Sequence, residues 1–447
     1  MNNLKRTFLL PLALAALAGL GPFTAQAGVA DTAVRAKAAG IDLIVYPMGV
    51  KDVVTFTGSM PLGDAFITAR ADNPAVPTLT AMLLEAGTAR HDKFAIADTL
   101  AEIGAELSFS PGAARIGIYG KSLKQDVPTV LGLLAEQLRE PAFDAEELAK
   151  AKVQLEAALR RASENPGAMA RETLMLGIFP AGNVNAPVSR EAMLAAVPKV
   201  TLAQVKAFHA RYYGPAHMTL VFTGDVETTA IAKAVEQGFG GWSGGVDYLR
   251  QSPPRLAPKA GEQNIAMQDK ASTSVFLGQS TGLRYGDADY LPLTVGVDVL
   301  GSGFTGRLMA TVRAKEGLTY GIGGNLLGSD YMDGGFGIST TFAPELMDKG
   351  IASTRRELER WWKDGITADE LAARQQAMVG SYQVGLGNTD GMSAAIIGTV
   401  ERGVGLEWLD RYPQMIQSVT LEQVNGAIRR HLDPQRMLLV KAGTFGK

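Results

Sequence analysis

Apolar and polar positions along the chain alternate between short stretches with a period of two and longer ones with apolar residues three and four apart, the signatures of strands and amphipathic helices. Residues 41–46 and 52–56 predict paired strands, 78–86 a helix closed by Gly87, and 94–103 a second helix. Residues 106–119 predict two strands around Pro111-Gly112, and 127–139 a helix. A longer amphipathic helix at 146–164 stops before Pro166, whose ring clashes inside a helix. The same order returns after residue 270, with a strand at 273–279, a helix at 291–301, a helix-forming stretch at 307–316, strands within 321–342, and helices at 344–364 and 368–384. Hairpin-like strand pairs mixed with helices, without regular strand-helix-strand alternation, predict an α+β fold in each part.

The recurrence is also literal. Val200-Thr-Leu-Ala-Gln-Val, Arg211, Pro215, Met218-Thr-Leu-Val and Gly224 return as Val419-Thr-Leu-Glu-Gln-Val, Arg430, Pro434, Met437-Leu-Leu-Val and Gly443, always 219 positions later. Ala145-Glu-Glu-Leu-Ala and Ala368-Asp-Glu-Leu-Ala repeat at 223. In each 219-spaced copy a Thr suits the helix N-cap, a Pro halts the helix, and an apolar strand ends at Gly. Two duplicated halves of about 200 residues explain both offsets. Gly-Phe-Gly-Gly-Trp-Ser-Gly-Gly at 238–245 and Pro253, Pro254 and Pro258 resist regular structure, which divides the chain into a first half at 28–243, a linker at 244–262 and a second half at 263–447.

Residues 1–27 stand apart. Lys5 and Arg6 precede an apolar run from Phe8 to Leu20, and Ala25-Gln26-Ala27 fits small-x-small cleavage. This predicts a secretory signal cut after Ala27 and a periplasmic or secreted protein, with an uncleaved inner-membrane anchor as the alternative. No later stretch approaches the roughly 20 apolar residues of a membrane span. The 447 residues are 46% hydrophobic, enough for substantial cores. The net charge of −2 becomes −4 without Lys5 and Arg6, so no basic field draws nucleic acid or anionic lipid. With no cysteine, thiolate chemistry and Cys-ligated metal are excluded.

The best candidates for chemistry lie in Gly301-Ser-Gly-Phe-Thr-Gly-Arg-Leu-Met-Ala-Thr-Val-Arg-Ala-Lys-Glu-Gly-Leu-Thr-Tyr320. Gly301, Gly303 and Gly306 predict a flexible loop, and Gly317 sits where a helix ends in the left-handed region. Arg313 then falls in the last turn of a helix and Tyr320 just after the chain reverses, so their side chains can converge. Arg near a helix C-terminus also complements the macrodipole, and Tyr at a strand start is ordinary packing. The Gly301–Gly306 spacing matches G-x-G-x-x-G, yet no strand-helix-strand series surrounds it, which argues against a dinucleotide site. His91, His209, His217 and His431 include no pair three or four apart, so no helix offers two imidazoles on one face.

R-x-K-E-G-L-x-Y at 313–320 resembles the arginine–tyrosine pair in the C-terminal half of the M16 (pitrilysin/insulinase) zinc peptidases. Leu83-Leu-Glu-Ala-Gly87-Thr88 resembles the end of that family's zinc helix, and Tyr212-Tyr-Gly-Pro215 with Gly224-Asp225-Val226 extends the likeness over nearly all the mature chain. The resemblance implies two duplicated M16-type α+β domains of the LuxS/metallohydrolase-like kind, each an antiparallel-rich sheet covered by helices. The family's zinc site is H-x-x-E-H on one helix, two His ligands and a Glu general base, completed by a distant Glu. Here the ligand and base positions fall on Thr78, Ala81 and Met82, and the distant carboxylate belongs near Glu156, on a face expected to be solvated. No metal or other cofactor is therefore expected in this chain. Some bacterial M16 enzymes divide zinc motif and Arg/Tyr pair between two chains, and this sequence looks like the second type. The resemblance implies a heterodimer with an H-x-x-E-H subunit that supplies zinc, a peptide clasped as the halves close, and substrate contacts from Arg313 and Tyr320. A catalytically inactive scaffold or peptide-binding relative is the alternative.

Overall fold

The computed structural model describes residues 28–445 apart from 64, 66–71, 113, 182, 248–256, 258 and 329–332. The expected signal segment and much of the expected linker lie outside the described residues.

The first sheet comprises β1 (Val34–Ala38), β2 (Ile41–Pro47), β3 (Val53–Pro61), β4 (Glu106–Pro111), β5 (Arg115–Leu123) and β6 (Thr219–Gly224), in the order β1-β2-β6-β3-β5-β4. The second comprises β7 (Gly261–Ala266), β8 (Thr273–Ser280), β9 (Ile322–Leu327), β10 (Gly335–Phe342) and β11 (Leu438–Gly443), in the order β7-β11-β8-β10-β9. In each, the last strand runs parallel to one neighbour and antiparallel to the other, which makes β6 and β11 equivalent. Their starts are 219 residues apart, as the repeat requires. Strands β2 and β3 are not partners, contrary to the sequence expectation, because β6 lies between them. Periodicity identifies a strand but not its neighbour; the most continuously apolar strand takes the centre, where both faces are covered.

Helices α1 (Val29–Thr32), α2 (Val76–Leu84), α3 (Lys93–Glu102), α4 (Val127–Arg139), α5 (Ala145–Ser163), α6 (Pro166–Ile178), α7 (Arg190–Ala196), α8 (Leu202–Tyr212) and α9 (Thr228–Phe239) belong to the first half. Thr201 caps α8 in a reciprocal box with Gln204, and the repeat is faithful: Thr420 does the same with Gln423 on the last helix. Helix α2 starts earlier than expected because Pro77 fits the first turn, where its missing N–H costs nothing. The second half adds α10 (Tyr290–Gly301), a π-helical α11 (Met309–Lys315), α12 (Met347–Asp364), α13 (Ala368–Gly385), α14 (Thr389–Arg402), α15 (Glu407–Gln417) and α16 (Leu421–His431).

Each sheet buries one face under its own helices and the other under a helix from the opposite half. Along β6, Leu220 and Phe222 enter the first-half core, while Val221 joins Ile396, Ile397 and Met392 of α14. Along β11, Leu439 enters the second-half core, while Leu438, Val440 and Ala442 join Ala170, Leu174 and Ile178 of α6. Helices α6 and α14 start 223 residues apart, each behind an Asn cap, Asn165 or Asn388. The duplication is therefore reciprocal: each copy lends the same helix to its twin. Asp390 ties the seam, accepting hydrogen bonds from Lys121 at 2.7 Å and Tyr119 at 2.9 Å. Burial opposes its ionisation, but these bonds outweigh that and hold its carboxyl below the usual range. Arg115 pairs with Glu401 across the same seam. Two shared hydrophobic clusters join the halves.

Candidate functional site

Thr78, Ala81 and Met82 lie at i, i+3 and i+4, on one face of α2. Thr78 is half-buried, Ala81 is buried, and half-buried Met82 packs on the first-half core. A hydroxyl, a methyl and a thioether thus occupy the face where a zinc helix carries two imidazoles and a carboxylate. Glu156 stands on α5, which packs against α2, and is half-buried rather than on a solvated face. His91 meets Glu136 at 2.8 Å, His217 lies 3.5 Å from Asp247, and His431 meets Asp289 at 2.9 Å. His209 contacts the Leu138 carbonyl at 2.8 Å between Phe143 and Tyr213; burial lowers its pKa, against the opposing effect of that bond. Among the described residues no three His, Asp or Glu side chains gather in a way that could hold a metal ion.

The structure does bring Arg313 and Tyr320 together. The segment expected to be an α-helix winds as a π-helix over Met309–Lys315, a wider turn in which the Glu316 N–H reaches the Thr311 carbonyl. Gly317, at φ 64°, then reverses the chain as expected. The Arg313 guanidinium sits 4.8 Å from the Tyr320 ring centre and 5.2 Å from that of Phe304. Both rings lie on the surface, Tyr320 86% and Phe304 79% exposed. Both distances lie within cation–π range. The Arg313 guanidinium has no hydrogen-bond or ion-pair partner among the described residues. Other arginines nearby are committed: Arg307 to Glu370, Arg356 to Glu316, and Arg374 to Asp298.

The scaffold under this trio is firmly tied. Arg307, at the start of the helical turn, donates to both Glu370 oxygens at 2.7 and 2.6 Å and to the Gly365 carbonyl at 3.0 Å. That fork holds the Glu370 carboxyl at about 2. At the other end, the Thr319 hydroxyl donates to the Thr341 carbonyl at 2.7 Å, and the Gly321 N–H donates back to Thr319, fixing the backbone on both sides of Tyr320. Under Phe304, Arg374 donates to Thr305 at 3.3 Å while paired with Asp298 at 3.1 Å. The expected flexible loop does not start at Gly301, which closes α10 and abuts Gly324 so tightly that a Cβ would collide with its backbone. Gly306 packs on Ser302, and only Gly303, at φ 60° in open space, supplies conformational freedom. Phe304 was missed from sequence. Its signal was a large aromatic isolated among glycines and polar residues, where no apolar periodicity gives it a core to enter.

Two family models match the chain: "Insulinase (Peptidase family M16)" over residues 76–192 and "Peptidase M16 inactive domain" over 199–378, which contains the trio. An uncharacterized zinc protease of Mycobacterium bovis is 27% identical over 363 residues, covering 78% of this chain and 80% of that protein. A non-peptidase homolog of Helicobacter pylori is 22% identical, covering 79% and 81%. The crystal structure of a peptidase M16 inactive domain from Pseudomonas fluorescens superposes with a TM-score of 0.82 at 24% identity, over 93% of this chain and 98% of that one. The periplasmic protease PqqL from Escherichia coli superposes at 0.75 and 13% identity, over 99% of this chain but 49% of its own length. Duplicated α+β halves, both family models and these relatives agree that the chain belongs to the M16 (insulinase-type) peptidase family.

Proposed function

We propose that this chain is the non-zinc subunit of an exported, two-chain M16 metallopeptidase, in which an H-x-x-E-H partner supplies zinc, water and the general base. The observation that carries this is Arg313: a guanidinium within cation–π distance of two exposed rings, with no acceptor for its N–H groups among the described residues. Its donors meet no acceptor within the described fold, so a peptide carbonyl arriving from outside meets a prepositioned donor. The periplasmic protease PqqL, of whose length this chain spans 49%, has the size of two such chains, which supports a two-unit assembly.

Arg313 and the Tyr320 hydroxyl donate hydrogen bonds to the substrate carbonyl and to the oxyanion that develops from it. Removing one such donor in other enzymes costs about 2.7–4 kcal/mol. Tyr320→Phe keeps the ring and the stacking while deleting the hydroxyl. In a mixture with the zinc subunit it is expected to lower turnover about 10²-fold with assembly intact; unchanged turnover would sink the assignment. Peptide hydrolysis and zinc content are to be measured for this chain alone, the partner alone and the mixture. Activity confined to the mixture with zinc confined to the partner is the expected result. Assembly without any gain in hydrolysis would instead indicate a scaffold.

A further inference from the structure

Helix α1 has four residues, too few to hold a helix by themselves, so its form depends on what it docks against. Val29 is buried in the cluster where α14 covers the first sheet, with Ile44 and Val221 of that sheet and Leu409 of α15. Asp410, also on α15, accepts the Val29 N–H at 2.6 Å and the Ala30 N–H at 3.0 Å. This segment thus straps the first sheet to a helix of the second half. Gly28 is held as well, its carbonyl accepting the Thr32 N–H at 3.0 Å and hydroxyl at 2.9 Å. With φ −64° and ψ 167° its backbone suits any residue. A Cβ there would nevertheless lie 2.7 Å from one Asp410 carboxylate oxygen and 3.0 Å from the other, the first distance shorter than such atoms tolerate. Glycine therefore makes room for Asp410, and the Gly28 nitrogen, bonded to the same Cα, lies within about 5 Å of those oxygens. Asp410 has no ion-pair partner among the described residues, and neither have Asp31, Glu407 and Arg411, the other charged side chains of α1 and α15. Tyr46 of β2 and Tyr382 of α13 feel its charge, which adds to burial in raising their pKa values.

Resting on the export proposed above, we infer that Asp410 is the receptor for the new amino terminus that signal cleavage creates at Gly28. When the Ala27–Gly28 amide bond is hydrolysed, water supplies the hydroxyl to the Ala27 carbonyl carbon and a proton to the Gly28 nitrogen. A neutral amide nitrogen becomes an α-ammonium group, with an ordinary pKa of about 8, within reach of a carboxylate that has no other cation. To its two backbone donors Asp410 then adds an ion pair, which fastens the strap across the seam between the halves. Processing and the docking of the mature chain are thereby coupled. Pairing favours the charged amine and so raises its pKa. The stabilisation is complete below about pH 8 and is lost as pH rises through the raised value.

The test reads the first residue of the exported protein by mass spectrometry. It then follows the Gly28 amine by NMR in the carbon-13 glycine-labelled mature chain, with and without Asp410→Asn, which keeps an acceptor for one N–H. The expected result is a chain that starts at Gly28, with an amine that titrates at about 9 and returns to about 8 in Asp410→Asn. The thermal midpoint of the mature chain should exceed that of its N-acetylated form by about 1–2 °C at pH 7. That gain should vanish at about pH 10, and at every pH in Asp410→Asn. An amine titrating near 8 in the wild type, or a raised value that survives in Asp410→Asn, overturns the inference and leaves export intact. A first residue other than Gly28 overturns cleavage after Ala27 and the inference with it. Hydrolysis by the mixture with the zinc subunit, which tests the function proposed above, should be the same for both chains at pH 7, so that function and the Asp410 pairing fail separately.

Discussion

Arg313 shows how little a residue type says until its neighbours are known. Lysine in its place would keep the charge but lose the planar, delocalised group that lies near two rings and the fork of donors at its edge. Arg313→Lys is expected to reduce turnover of the mixture at least as much as Tyr320→Phe, about 10²–10³-fold, and to leave the thermal midpoint of the isolated chain within a degree or so. A large fall in that midpoint would show that the trio serves folding instead. Gly301 belongs to the same scale with the opposite cause. Its Cβ would meet the Gly324 backbone, so Gly301→Ala is expected to cost about 1–3 kcal/mol in urea unfolding, whereas Gly303→Ala costs about 1 kcal/mol through its positive φ alone.

The element that presents Arg313 depends on an ion pair at its start. Arg307 lowers the Glu370 carboxyl to about 2 from an ordinary value near 4.5, and the same carboxylate closes the capping box of α13. The folded-state value lies below the unfolded one, so the contribution is complete above about pH 4.5 and fades as pH falls towards 2. With solvent screening allowed for, it amounts to about 1–2 kcal/mol. Glu370→Gln can still cap α13 but cannot pair with Arg307. Urea midpoints of wild type and variant should therefore differ at pH 7 and draw steadily closer as pH falls from 4.5 towards 2; a gap independent of pH would mean that the carboxylate's charge is not what stabilises the turn. Boundaries at this scale were largely legible: α4 falls at 127–139, and α13 begins at Ala368 after its Thr367 cap, both as predicted. The π-helical winding of α11 was not, because composition separates helix from strand but not one helical pitch from another.

Over the whole molecule, exchange of α6 and α14 is expected to make the two halves unfold as one cooperative unit. Ile396, fully buried where α14 covers the first sheet, is a point at which this can be probed. Ile396→Ala should cost about 2–5 kcal/mol. Fluorescence from the four tryptophans and far-ultraviolet circular dichroism should still trace one shared transition. Two resolved transitions in the wild type would show that the halves fold independently and that the shared clusters contribute little. The sequence contained part of this architecture: the continuous apolar runs that became β6 and β11 are what a strand covered on both faces requires. What covers the second face was not readable, since α6 and α14 carry no mark of which sheet they serve.

The sequence by itself determined the α+β class, the duplication and its two offsets, the helix caps, the absence of zinc-binding side chains at Thr78, Ala81 and Met82, and the neighbourhood of Arg313 and Tyr320. These follow from periodicity, cap chemistry and residue type, all of them local or copied at a fixed spacing. It took the packed molecule to show that β6 separates β2 from β3, that each half covers the other's sheet, and that Phe304 joins Tyr320 beside Arg313. Those facts depend on which distant surfaces exclude water together, and hydrophobic burial is non-directional, so a sequence records the need for a partner without naming it.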